Sequence, residues 1–164
     1  MHPRRAAFTF IELIVVITMM AILATILAVS FQNLRLSSRF NDQKVKIVSL
    51  IEGARSQALS NILVNGTAPT SYYLLDIEST AITLTAVAED ATSETLKTLT
   101  LDSDMTLATV PLEIYYFPPY GDVCFDSACA DTTTISKDFT LSDSTGAKTA
   151  TFTLNVNGGY VDVN

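Results

Sequence analysis

One acid, Glu12, interrupts an otherwise apolar run that begins at Phe8, and it is the only charged residue between Arg5 and Arg35. From Leu13 to Val29 the polar residues are two threonines, Thr18 and Thr25. A carboxylate at the centre of a membrane span costs about 2.5 to 3.5 kcal/mol on insertion scales, and such groups are usually paired. Glu12 therefore calls for a cation. Elsewhere, Cys124 and Cys129 enclose four residues and have no competing thiol. For a segment outside the cytoplasm a disulfide is the economical pairing; a redox or metal site is the alternative. Asp122, Asp126 and Asp131 lie close by and offer oxygen ligands of the kind calcium takes, without the spacing of a calcium loop. Solvated surface acids are the simpler reading.

The apolar run that carries Glu12 is long enough as a helix to cross a hydrocarbon core of about 30 Å. A secretory signal has an apolar stretch of roughly 7 to 15 residues and a small-residue cleavage site. This stretch is longer and continues into a polar helix. Arg4 and Arg5 place the head Met1–Ala7 in the cytoplasm and the chain beyond residue 30 outside, by the positive-inside rule. A plain signal anchor, its carboxylate drawn to the interface, is the ordinary alternative.

The run Ala7-Phe-Thr-Phe-Ile-Glu-Leu-Ile-Val-Val-Ile17 resembles the class III leader of type IV pilins and type II secretion pseudopilins. That resemblance implies cleavage by a prepilin peptidase between Ala7 and Phe8, N-methylation of Phe8, and a mature chain of 157 residues with Glu12 fifth. The family usually has glycine where this chain has Ala7. An ammonium freed at Phe8 and the carboxylate of Glu12 are opposite charges on one apolar helix. At about 4 Å and an effective dielectric of 20 such a pair attracts by about 4 kcal/mol. Pairing across neighbouring subunits would offset burial and fix the axial register of helices whose other contacts are interchangeable aliphatic side chains.

Charge narrows the partners. The 164 residues carry ten Lys plus Arg against seventeen Asp plus Glu, a formal charge of -7, which becomes -9 when Arg4 and Arg5 leave with the head. An acidic chain argues against nucleic-acid binding, since phosphate contacts need clustered cations. The tail Asn157-Gly-Gly-Tyr-Val-Asp-Val-Asn164 has no basic residue. The only histidine, His2, lies in the head, so the mature chain offers no Ser-His or Cys-His pair, and there is no Gly-rich phosphate loop. No enzyme, cofactor or metal is expected.

Beyond the span, Ile47, Ile51, Ala54, Ala58 and Ile62 recur at spacings of three and four, flanked by Val48 and Leu59, as one face of an amphipathic helix. Asn65-Gly66 followed by Pro69 predicts its stop. Such a helix, from Phe8 to residue 64, would be roughly 85 Å long. The polar middle, Gln32 to Gln43, is expected to be exposed or interfacial. Many pilins carry a helix-bending proline where this chain has Val29, which implies less bending there.

After residue 70 the period changes to two. Ile82, Leu84 and Ala86 alternate with threonines, as do Ala150, Phe152, Leu154 and Val156 with Thr149, Thr151, Thr153 and Asn155. Further strands are expected at Tyr72 to Ile77, Leu96 to Leu101, Leu112 to Phe117 and Gly159 to Val163. Asn157-Gly158 reads as a hairpin turn, and Asp102 with Asp104 as another turn. The expected class is α+β: a long N-terminal α-helix, half transmembrane and half amphipathic, packed against a C-terminal antiparallel β-sheet. The divisions are 1–7, prepilin leader; 8–30, transmembrane and assembly helix; 31–66, amphipathic half; 67–164, globular β-sheet domain.

Two further stretches are similar to the H-type pseudopilins and FimT-type minor pilins: Gly53-Ala-Arg-Ser-Gln-Ala-Leu-Ser-Asn61, and Tyr116-Phe-Pro-Pro-Tyr-Gly121 before Asp122-Val-Cys-Phe125. The resemblance implies a minor pilin or pseudopilin, with prepilin peptidase, other pilin subunits, an inner-membrane assembly platform and, before assembly, the lipid bilayer as partners. It places the chain in the cytoplasmic membrane and then in an extracytoplasmic filament. A major pilin and a membrane-anchored adhesin are the alternatives.

Overall fold

The computed structural model describes residues 9–60, 68–130, 133–156 and 159–164, with residues 27–30 described as backbone only. The chain divides into two compact units, Met1–Arg39 and Phe40–Asn164. One helix, α1 (Phe10–Ser60), contributes to both.

In the first unit the helix is continuous through Val29 and almost wholly exposed. Phe10 is 79% exposed, and Leu13 to Ile17 and Met19 to Leu23 present their large apolar side chains outward. The helix is long and apolar enough to cross a membrane. Its threonines hide their hydroxyls: Thr18 Oγ1 donates to the carbonyls of Ile14 at 3.0 Å and Val15 at 2.9 Å, and Thr25 Oγ1 to Ile22 at 2.7 Å. Back-bonding of this kind lets a hydroxyl sit in hydrocarbon without an unmet donor. Further along, the Arg35 guanidinium covers the Phe31 ring at 4.6 Å.

The second unit is built on the other half of α1. Ile47, Leu50, Ile51, Ala54 and Ala58 are fully buried. The buried stripe starts earlier than its polar surroundings imply. Most of the stretch from Gln32 to Gln43 is exposed, as its polarity implies; the departures are Phe40 and Gln43, 5% and 2% exposed. Phe40 lies seven residues before Ile47, two helical turns up the same face. Leu59 is exposed and lies off the stripe, while Ile62, Asn65 and Gly66 fall outside the described residues.

Among the described residues, nine strands form two antiparallel sheets rather than one. The first has the order β3-β2-β1-β5-β6, from β1 (Thr70–Ile77), β2 (Ala81–Ala88), β3 (Ser93–Thr100), β5 (Leu112–Phe117) and β6 (Asp122–Cys124). The second runs β4-β7-β8-β9, from β4 (Met105–Ala108), β7 (Ser136–Asp143), β8 (Thr149–Asn155) and β9 (Val161–Val163). Alternation sets what each strand buries. Tyr73, Leu75 and Ile77 from β1, Ile82 and Leu84 from β2, and Ile114 and Tyr116 from β5 join the helix stripe in one core. Phe139 and Leu141 from β7 and Phe152 and Leu154 from β8 join the same core.

Local chemistry sets the connections. Between β2 and β3, Asp90 Oδ1 accepts from the Thr92 amide at 3.0 Å and its hydroxyl at 2.6 Å, and Ala91 takes a positive φ of 65°. An aspartate that bonds the backbone two residues on is a turn-former. Between β5 and β6, Gly121 has φ +68°, and a Cβ there would come within 3.2 Å of Leu59 Cδ2. The backbone angle favours glycine, and a Cβ there would make Leu59 shift by a few tenths of an ångström. Asn157 and Gly158 lie outside the described residues. On either side of them β8 and β9 pair antiparallel, with Leu154 opposite Val161.

Candidate functional site

Glu12 stands in the first turn of α1, where Thr9 is the capping residue. The Glu12 amide donates to Thr9 Oγ1 at 3.3 Å, while Glu12 Oε2 accepts from the Thr9 amide at 3.4 Å and from its hydroxyl at 3.3 Å. This is a capping box, Thr-x-x-Glu, which satisfies two donors that a helix start leaves open. The first-turn position also puts a negative charge at the positive end of the helix dipole.

The geometry matters for chemistry because it aims the carboxylate backward along the chain, at the residue directly after Phe8. Only Oε2 is engaged by Thr9. A carboxylate has about four acceptor positions, so the other oxygen can receive a cation while the cap stays closed. Ala7 and Phe8 lie outside the described residues, as do His2, Arg4 and Arg5. The sequence signal for this cap is Thr9-Phe-Ile-Glu12 followed by an apolar run.

In the second unit Cys124 and Cys129 are joined as a disulfide, with Cα atoms 5.3 Å apart. Within the enclosed loop Asp126 Oδ1 accepts from the amides of Ala128 at 2.9 Å and Ala130 at 3.0 Å. The Lys137 ammonium sits 5.5 Å from the centre of the Phe125 ring. Asp126 thus serves the loop. Among the described residues no three acids, cysteines or histidines gather as a metal would need, and Asp131 lies outside them. Asp102 and Asp104 stand in the turn before β4, with the Asp102 carbonyl accepting from the Met105 amide at 2.9 Å.

Two tyrosines on β5 have displaced phenol pKa values. Tyr115 is pushed up to about 12 by burial, and by donating to Glu113 Oε2 at 2.5 Å. Tyr116 is raised further by burial, which outweighs the nearby Arg55 charge. Both stay protonated at neutral pH. Their surroundings are packing: Tyr116 lies in the main core and Tyr115 meets the Tyr72 ring edge-on at 5.4 Å.

Comparison of the chain with curated proteins and with solved structures gives no match. Residues 2–28 match the family described as the prokaryotic N-terminal methylation motif, which spans the head, Phe8 and Glu12. An exposed apolar helix headed by a capped carboxylate, carrying that methylation motif, supports reading the chain as a pilin or pseudopilin subunit.

Proposed function

We infer that this chain is a structural subunit, a minor pilin or pseudopilin, that assembles through its apolar helix into a type IV pilus or type II secretion pseudopilus. Prepilin peptidase cuts between Ala7 and Phe8 and Phe8 is methylated. Before assembly the helix is held in the cytoplasmic membrane, head in the cytoplasm and the second unit outside. In the filament the Phe8 ammonium of one subunit meets Glu12 of its neighbour. The chain is not an enzyme, and its partners are other pilin subunits and the inner-membrane assembly platform.

The observation that carries this reading is the exposed apolar surface from Phe10 to Ile26 with a single carboxylate at its head. A surface of that extent on a lone helix needs lipid or other helices around it. Its match to the methylation motif supports the filament over a plain anchor. The test is incorporation. Sheared filaments from cells expressing the wild-type chain should contain it, and Glu12→Ala protein should be present in membranes yet depleted at least tenfold from filaments. Equal incorporation of the two would remove the role given to Glu12.

A further inference from the structure

The two edges of the first sheet differ in shape. At the β3 edge, α1 and the sheet leave a groove of about 410 Å³ lined by Val45, Lys46, Ser49, Leu50, Lys97 and Leu99. Lys97 lies opposite Leu84 in the β2–β3 ladder and so shares the helix-facing side of the sheet, at its rim. The Lys97 ammonium forms no ion pair among the described residues, whereas Lys46 is paired with Asp42 at 2.6 Å. The groove has an apolar floor and a cationic lip.

At the other edge the β5–β6 turn projects Tyr120, 78% exposed, with the exposed acid Asp122 two residues on. That turn sits beside the end of α1, since Gly121 approaches Leu59 and Arg55. The groove lies beside residues 45–50 of the same helix. The two features are therefore separated by four strand spacings, about 19 Å, and by roughly ten helical residues, about 15 Å along the axis.

We propose that the Tyr120–Asp122 turn of one copy docks in the Lys97 groove of the next copy, the ring on the apolar floor and Asp122 against Lys97. Knob and groove are different surfaces, so the contact between two neighbouring copies is heterologous and does not close into a symmetric pair. Because the surfaces are offset both sideways and along the helix, each added copy is stepped along the helix axis. Tyrosine is a frequent anchor at such contacts. The charge match selects a copy of this chain: the molecule is acidic overall, and the groove rim supplies an unpaired cation. This inference rests on the filament reading and adds a second contact to it, between β-sheet units.

The experiment places a photo-crosslinking phenylalanine analogue at Tyr120 of the full chain and maps crosslinked peptides in sheared filaments. Crosslinks to residues 45–50 or 97–99 of a second copy are expected. Filaments that contain the chain but crosslink Tyr120 elsewhere overturn the docking and leave the filament reading intact; absence of the chain from filaments overturns both. A charge exchange supplies the second arm. Asp122→Lys should reduce incorporation about threefold, the scale of one exposed ion pair, and Lys97→Glu in the same chain should restore it. No restoration, with both variants present in membranes, overturns the pairing.

Discussion

Glu12 bends its carboxylate back onto the residue that opens its own helix: Oε2 lies 3.4 Å from the Thr9 amide and 3.3 Å from the Thr9 hydroxyl. In the proposed filament the acid therefore has two tasks, closing the helix start and offering charge to an incoming cation, and substitutions can separate them.

Thr9→Ala removes one side of the capping box and should cost about 1 kcal/mol of local helix stability. It leaves the carboxylate charged. Filament incorporation of Thr9→Ala is expected within twofold of wild type, whereas Glu12→Gln, which keeps an acceptor but loses the charge, should fall with Glu12→Ala. Immunoblots of sheared filaments against membranes check this. Glu12→Gln assembling normally would assign Glu12 to capping alone.

In the second sheet Phe139 and Phe152 are direct cross-strand partners and stack with ring centroids 4.9 Å apart. Both are fully buried. Phe139→Ala or Phe152→Ala should each destabilise by about 3 to 5 kcal/mol, by lost transfer energy and a residual cavity. The double variant should fall short of the sum, because the pair shares one contact. Urea unfolding of the full chain in detergent reads both.

The Cys124–Cys129 bond closes a short loop, with sequence separation 5. Loop-closure entropy for that length gives about 2 kcal/mol. Cys124→Ser with Cys129→Ser should lower the urea midpoint accordingly. A reducing agent should lower the wild-type midpoint to the same value and leave the double variant unchanged.

Two carboxylates make opposite pH signatures. Burial, with Glu78 and Glu113 nearby, raises Asp76 above the usual carboxylate range, and Glu113 lies directly opposite it on β5. Its charged form is penalised in the fold, so the penalty is present at neutral pH and relieved as pH falls through the raised value. Asp143 is the reverse. Burial pushes it up, but bonds from the Lys148 amide at 3.2 Å and the Thr145 hydroxyl at 2.9 Å, with further amide contacts, hold it below the ordinary value. Its contribution is present at neutral pH and lost as pH falls below about 4, the unfolded value. Asp76→Asn should raise the urea midpoint at pH 7, by less as pH drops toward 4. Asp143→Asn should lower it at pH 7, and the loss should vanish under strong acid.

Periodicity explains which parts of this fold can be read from residues. β2 and β8 alternate apolar side chains with threonine, and Ile47, Ile51, Ala54 and Ala58 mark the buried helix face; all lie where the pattern puts them. β7 escaped because its buried positions read Phe139, Leu141, Asp143, and an acid breaks the alternation; only the local hydrogen bonds make that burial tolerable. β4 is four residues long, too short for a period to show. The division into two sheets depends on β1 pairing with β5 across intervening strands, a choice made by long-range packing rather than local sequence. At the N-terminal site the apolar run and Glu12 are plain in the sequence. Thr9 is equally legible, as half of a capping box, though the apolar run around it is the larger signal.

The most direct measurement is the mass of the N-terminal peptide of the native protein recovered from sheared filaments. A peptide that begins at Phe8 with one added methyl group is the predicted result. A chain retained in the membrane with Met1 to Ala7 attached, and absent from filaments, would contradict the account.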